Sequence, residues 1–414
     1  MTFSTEERIS HVFRRLGFGA QPDLVASVSS AEEAIGRALD LSATPADIPI
    51  VEPPIDTEAA RDRDTAGLRF WLEQMITSPR RIEERLIWFW HDHFATDARK
   101  VQLPYLLYQQ HLLLRSNATG SFADLLHGIT TDPAMLIYLD GVDNAVGEIN
   151  ENYGREVMEL FTMGRGSYTE EDVVAASRSF SGWVIYRPDG RVVDFFEGEP
   201  WQSVFLTFRH DSGVKTLLGR TGTHDASAAI DIILDQPVTG RFIAGKLYEE
   251  LVGLRPDEAT KERLGAVFAA EYEVMPLVES IVAEPAFLSD EAIRAKKRTP
   301  LEQAVGIAQA FGLSEQAGGY VGRALEQLGY LPYRPANVAG FPKGRRLLGP
   351  HTLIHTFDLM MLAGRASMAM TTDELATRLG LFDVSDTTRQ VLADAGNPVT
   401  RLALAINSPE YHVV

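Results

Sequence analysis

The sequence predicts a mainly α-helical fold, a multi-helix globular body carrying a small antiparallel β insertion around residues 183–218. Three observations predict it. Apolar residues recur at three- and four-residue spacing through most of the chain, and glycine or proline stands where each run stops. Between Trp183 and Leu218 that period gives way to clusters of β-branched and aromatic residues, separated by Pro188-Asp189-Gly190 and Gly198-Glu199-Pro200. With 414 residues, 45% hydrophobic and 23% charged, the chain has enough apolar material for a large core.

Taken in order, Thr5 to Arg15 has helical spacing with Ile9, Val12, Phe13 and Leu16 apolar, and Gly17 and Gly19 supply the stop. The Pro-rich run Thr44 to Pro54 reads as a connector. From Thr57 to His93 the pattern gives two helices divided at Ser78-Pro79, where proline suits the first turn of the second. Further helices fit Leu103 to Arg115, Phe122 to Ile129, Pro133 to Leu139, Asn152 to Met163 and Thr169 to Ser181, the last with Thr169 and Asp172 in a capping arrangement. The Gly164-x-Gly166-Ser167 run between the last two reads as a helix stop. Helical period resumes at Ala226 and is broken once more by a Pro/Gly-rich loop, residues 331–350. Without repeats or low-complexity tracts, this is one helical domain over residues 1–414.

Composition narrows the chemistry. A net charge of −18 repels a polyanion, so nucleic acid is not an expected partner. The short basic runs Arg294 to Arg298 and Lys343 to Arg346 read as solvated faces or helix-end charges. Cysteine is absent, which removes disulfides, thiolate zinc sites and iron–sulfur clusters. No Walker loop, strand-borne G-x-G-x-x-G or G-x-S-x-G occurs, so no nucleotide cofactor or serine nucleophile is expected, and no haem. The stretch Met1 to Gly17 lacks a secretory signal's apolar run, and no segment approaches the roughly 20 apolar residues of a membrane span. The expected location is cytoplasmic.

Two segments concentrate chemistry-bearing side chains. Arg81 to Phe94 is an aromatic-rich helix ending His91-Asp92-His93. On a regular helix His93 lies roughly 200° from His91, so both reach one metal only if the helix ends between them. In Glu148 to Phe161, Asn152, Glu156 and Glu159 share one helix face, and Arg155 can pair with Glu151 or Glu159 at four-residue spacing. His91, His93 and Glu156 have the donor types of an N/O site for one divalent metal ion with open positions for water. The same residues can also satisfy one another as a structural network, or work as metal-free acids and bases. The catalytic candidates are thus His91, His93, Arg155, Glu156 and Glu159, with Arg155 placed to bind an anionic substrate group or to orient a carboxylate. Asn152, His210 and Lys215 are the candidates for substrate contact.

Three lesser features carry structural readings. Asp140, Asp143, Asn144 and Glu148 offer oxygen ligands, but their spacing is not that of an EF-hand, and a polar turn capping two helices accounts for them. His210-Asp211-x-Gly213-x-Lys215 reads as a turn with a salt bridge. Lys246, in a helix from Phe242 to Leu251, reads as a snorkelling surface residue. The His91-Asp92 pair is a poor match to metal-dependent HD phosphohydrolases, since the one upstream histidine, His11, is 80 residues away.

The motifs taken together resemble the bacterial domain-of-unknown-function 1800 family. The matching pieces are Arg14-Arg15-Leu16-Gly17-Phe18-Gly19, Glu84-Arg85, Phe89 to Phe94, Asp132 to Met135 and Tyr138 to Asp140. They continue with Asn150 to Asn152, Arg155-Glu156, Glu159 to Phe161, Tyr168 to Glu170, Asp172-Val173, Ser181 to Trp183, His210-Asp211, Asn337 to Gly340 and Ser408 to Tyr411. The resemblance spans nearly the whole chain. It implies a helical body and an exported setting beside genes for phosphatase-like or sulfatase-like proteins, hence a protein partner encoded nearby. This chain departs from the pattern in lacking a signal and in having Phe341 where the family's Gly-Trp-Pro motif has tryptophan. The reading that follows is an uncharacterised protein, either a divalent-cation-dependent hydrolase with a His/Glu centre or a non-catalytic scaffold in which that cluster is structural.

Overall fold

Local signals set most of the helix boundaries. In a computed structural model that describes residues 3–44, 66–186, 199–313, 317–349, 363 and 369–414, the first helix spans Thr5–Arg15 and starts where the Ser4 hydroxyl accepts the Glu7 N–H. Ala66–Thr77 and Arg81–His93 are separated at Ser78-Pro79 as the sequence predicts. Pro104–Asn117, Phe122–Thr130 and Pro133–Tyr138 follow, the last capped by Asp132. Glu170–Ser179 carries the expected capping box of Thr169 and Asp172. The connector Thr44 to Pro54 lies, beyond Thr44, outside the described residues, as do residues 57–65 and 187–198.

The mainly α expectation holds, with one refinement in the insertion. It forms two separate two-stranded antiparallel ladders: β1 (Trp183–Ile185) with β2 (Ser203–Phe205), and β3 (Lys215–Leu217) with β4 (Arg220–Gly222). Trp183 pairs with Phe205 in the first, and Lys215 with Gly222 in the second. Strands of three residues cannot bury a face of their own. They are held instead from the Glu170–Ser179 helix, where Arg178 grips Asp211 through Nε and Nη2 at 2.7 and 3.0 Å.

One stretch departs from the predicted Asn152 to Met163 helix. Glu151–Glu156 is α-helical, but Val157–Thr162 is π-helical, with the Met163 N–H reaching back to Met158 O and the Thr162 hydroxyl to Val157 O. The widened turn is of the kind often met at functional sites. Gly154, one turn earlier, meets Ser177 so closely that a Cβ there would overlap the serine hydroxyl.

The core is a contiguous apolar cluster running from Ile9 to Tyr411. The Arg81–His93 helix passes through it, with every residue from Ile82 to His93 buried. Six of those residues, Glu83, Glu84, Arg85, His91, Asp92 and His93, carry ionisable groups into the core. Buried groups of this kind require partners, and the partners define the site.

Candidate functional site

The helix continues through His93 and ends at Phe94, so the two imidazoles point to different parts of the core. His91 sits among Trp71, Trp88, Tyr333 and Phe341. Its Nε2 accepts the Tyr333 N–H at 3.0 Å, which places the ring proton on Nδ1. Burial lowers the His91 pKa to about 4, so the ring is neutral near pH 7. Tyr333 has φ +65°, a strained conformation for an aromatic residue, and is held at both ends: its N–H by His91 and its carbonyl by the Ala98 N–H at 2.8 Å.

His93 faces the other way. Its Nε2 lies 3.0 Å from Phe161 O, and since a carbonyl only accepts, Nε2 carries the proton and Nδ1 the lone pair. Lys246 Nζ stands 2.7 Å from that Nδ1. Burial, then the neighbouring Lys246 cation, keeps His93 neutral, with its pKa well below the ordinary value. The expected surface position of Lys246 is therefore corrected. It turns inward from the Pro237–Val252 helix over the Phe242 ring, and burial followed by the charge of Lys343 lowers its pKa to about 8.

Asp92, between the two histidines, fixes the 331–349 loop. One oxygen accepts the Phe341 N–H at 2.7 Å and the other takes Lys343 Nζ at 2.6 Å. Lys343 is thus not merely part of a solvated basic run. Although half-exposed, it holds its proton more firmly than a free lysine, because Asp92 and Glu250 outweigh the cost of burial. Gly340 lies against Asp92 with φ +95°, and a Cβ there would overlap the carboxylate. Glycine is required twice over at this position, for its backbone angle and for its missing side chain.

Arg85, two turns back, anchors a buried ionic cluster. Its Nη2 reaches Glu302 at 2.5 Å and Glu250 at 3.3 Å, while Lys296 reaches the same two carboxylates at 3.1 and 2.6 Å. Burial alone would raise both carboxyl pKa values. Lys296 and Arg85 reverse this, holding Glu302 well below the usual range and bringing Glu250 down to about 2. Glu84 is met by Arg115 through two hydrogen bonds of 2.6 and 3.0 Å.

The second predicted segment lies nearer the surface. Arg155 pairs with Glu151 at 3.2 Å and with Glu170 at 2.7 Å, where Glu159 was the expected alternative. Glu159 instead bonds Arg165 and the Tyr168 hydroxyl. Asn152 donates to Leu139 O at 3.3 Å. Glu156 is half-buried, with neither a hydrogen bond nor an ion pair among the described residues, and its pKa is raised by burial and then by Glu159. The structure therefore does not bring His91, His93 and Glu156 together. Among the described residues no three His, Cys, Asp or Glu side chains converge as metal ligands would.

The remaining candidates hold the insertion in place. His210 Nδ1 meets Ser181 O at 3.1 Å, and Lys215 Nζ donates to Asp211 O and His224 O at 2.7 and 2.8 Å. Asn144 is buried, donating to Ser177 O and accepting the Asn150 N–H. Asp140 pairs with Lys100 at 2.6 Å. Sequence reasoning missed Lys246, Lys343, Tyr333, Glu250 and Glu302 as partners of the His91 to His93 helix. Each is more than 140 positions away, so no local spacing announces them.

Fold and site define a class: a mainly α-helical protein built around a helix whose ionisable side chains are engaged from within. The family is shown directly, since the model of the family described as "Protein of unknown function (DUF1800)" matches residues 11–413, and the chain belongs to it. No curated protein and no solved structure matches the chain. Among the described residues no helix is long and apolar enough to cross a membrane.

Proposed function

We propose that the chain is a non-catalytic scaffold or assembly protein in which His91, Asp92 and His93 lock the 331–349 loop and the π-helical turn onto the central helix. One observation supports this reading. Both oxygens of Asp92, both nitrogens of His93 and Nε2 of His91 are taken by groups of the chain itself. Binding a metal at either histidine would require giving up one of these buried bonds. A protein partner would meet the outer surface, where the β insertion exposes Val214.

The test is elemental analysis of tag-free protein dialysed without chelator, beside a His91→Ala, His93→Ala double variant. The expected result is no stoichiometric metal, no thermal shift with zinc, manganese, magnesium or calcium, and a destabilised double variant. Near-stoichiometric metal that vanishes in a still-folded variant would overturn the proposal.

A divalent-cation-dependent hydrolase is favoured by one observation, the unpartnered Glu156 carboxylate beside Glu159 on the π-helical segment. Under the scaffold reading, Glu156→Gln removes a repulsion and no bond, so unfolding stability should stay within about 1 kcal/mol of wild type. Loss of a cation-induced thermal shift in this variant, with folding retained, would favour the hydrolase instead.

A further inference from the structure

A cavity of about 140 Å³ lies beside the start of the 331–349 loop, and no residue of the ionic cluster around Arg85 lines it. Its walls are Leu68, Leu107, Tyr108, Leu331 and Tyr333, brought together from the Ala66–Thr77 helix, the Pro104–Asn117 helix and the loop. All five are buried. An apolar cavity of this size is the kind that takes up a benzene ring, as engineered cavities of about 150 Å³ do.

Glycine keeps this space open. Gly67 and Gly322 both border the cavity, one within the Ala66–Thr77 helix and the other at the start of the Gly322–Gln327 helix. A Cβ at Gly67 would meet Tyr108 at 3.9 Å, and one at Gly322 would meet Leu68 at 3.7 Å, both ordinary contacts. Neither glycine has a positive φ, so alanine would fit at either position and would form helix better. A void in a close-packed interior is itself destabilising. What the two glycines preserve in exchange is room.

The walls are also set in advance. Tyr333 is held at φ +65° by the bonds of its N–H to His91 and of its carbonyl to the Ala98 N–H. A π-helical turn, Ala317–Val321, leads directly into Gly322. Strained backbone and π-helical turns both gather at functional sites.

Three charged residues line the cavity: Arg323, Glu326 and Arg334. Arg334 and Glu326 pair at 2.6 Å and cancel each other's charge. Arg323 is exposed, donates from Nε to Gly319 O at 2.8 Å and lies over the Tyr320 ring. Among the described residues no carboxylate pairs with it, so the local charge is positive although the chain carries −18 overall.

We infer that this cavity binds a monocyclic aromatic carboxylate, its ring against Tyr108 and Tyr333 and its carboxylate on Arg323. A flat ring offers both tyrosines edge and face contacts. It also enters without the loss of rotamer freedom that an aliphatic acid of similar volume would suffer. The site stands apart from the scaffold reading, since none of its charged residues contacts His91, Asp92 or His93.

The experiment is isothermal titration of the whole protein with benzoate at pH 7. The expected Kd is on the order of 0.1–1 mM, which about nine non-hydrogen atoms support at ordinary efficiency. Benzyl alcohol, a ring without the charge, and hexanoate, a charge without the ring, should each bind at least ~5-fold more weakly. Arg323→Gln should weaken benzoate by a similar factor and leave benzyl alcohol unchanged. Gly322→Leu, which fills the cavity, should abolish binding while the circular dichroism spectrum is retained. No saturable binding of benzoate up to about 10 mM overturns the site. Equal binding of benzyl alcohol overturns the carboxylate, and equal binding of hexanoate overturns the ring. Unchanged benzoate binding by folded Gly322→Leu overturns the location; if that variant does not fold, Arg323→Gln, at an exposed position, decides it.

Discussion

Replacing Arg85 by methionine should lower the unfolding free energy by about 3–5 kcal/mol, the range seen when one partner of a buried ion pair is removed. Arg85 is fully buried and bonded to Glu302, with Glu250 within ion-pair distance. Methionine fills much of the space but leaves Glu302 paired with Lys296 and Glu250 paired with Lys296 and, at 3.9 Å, Lys343. Urea unfolding monitored by the five tryptophans would read the loss. A change below about 1 kcal/mol would mean that the two lysines suffice.

The same cluster sets an acid dependence whose sign is fixed. Glu250 is depressed to about 2 in the folded protein, against about 4.3 for a free glutamate. The folded state therefore binds fewer protons than the unfolded chain between these values. The contribution to stability is complete above the unfolded pKa and fades as pH falls through the folded one. The wild-type unfolding midpoint should drop most steeply between about pH 4.3 and 2. In Arg85→Met the carboxyls are less depressed, so this acid-linked loss should be smaller and should finish at higher pH.

Gly340→Ala is the second change with a large expected effect, roughly 2–4 kcal/mol from a strained backbone angle and an overpacked contact together. The methyl group would collide with the Asp92 carboxylate and its backbone oxygen. Relief requires the loop to move away from Asp92, which gives up the Phe341 N–H and Lys343 bonds. Hydrogen exchange should then rise across residues 331–349 more than in the Glu258–Ala269 helix, which lies elsewhere in the chain. Uniform exchange over both regions would show that the loop is not locked through Asp92.

Much of the fold is legible because helices and caps are local. Ser4 before Glu7, Thr169 before Asp172 and the Ser78-Pro79 break each lie within a few residues of the helix they start or stop. The candidate site was legible only as a set of residue types. His91-Asp92-His93 announces buried polar groups, but whether they face a metal or the backbone depends on what packs against them. The π-helical turn was also invisible, because a change from four- to five-residue pairing alters neither composition nor apolar spacing enough to be read.

By itself the sequence determined the helical class, the placement of a β insertion, the absence of thiol chemistry and the family resemblance. These follow from period, turn residues and motif identity, which are properties of neighbouring positions. Tertiary structure decided the partners: Tyr333 for His91, Phe341 and Lys343 for Asp92, Phe161 and Lys246 for His93, Glu250 and Glu302 for Arg85. The physical reason is that a charge or ring nitrogen in the core must be matched by a group that arrives from a distant part of the chain. The protonation, bonding and reactivity of that charge or nitrogen are set by this match rather than by the residue type.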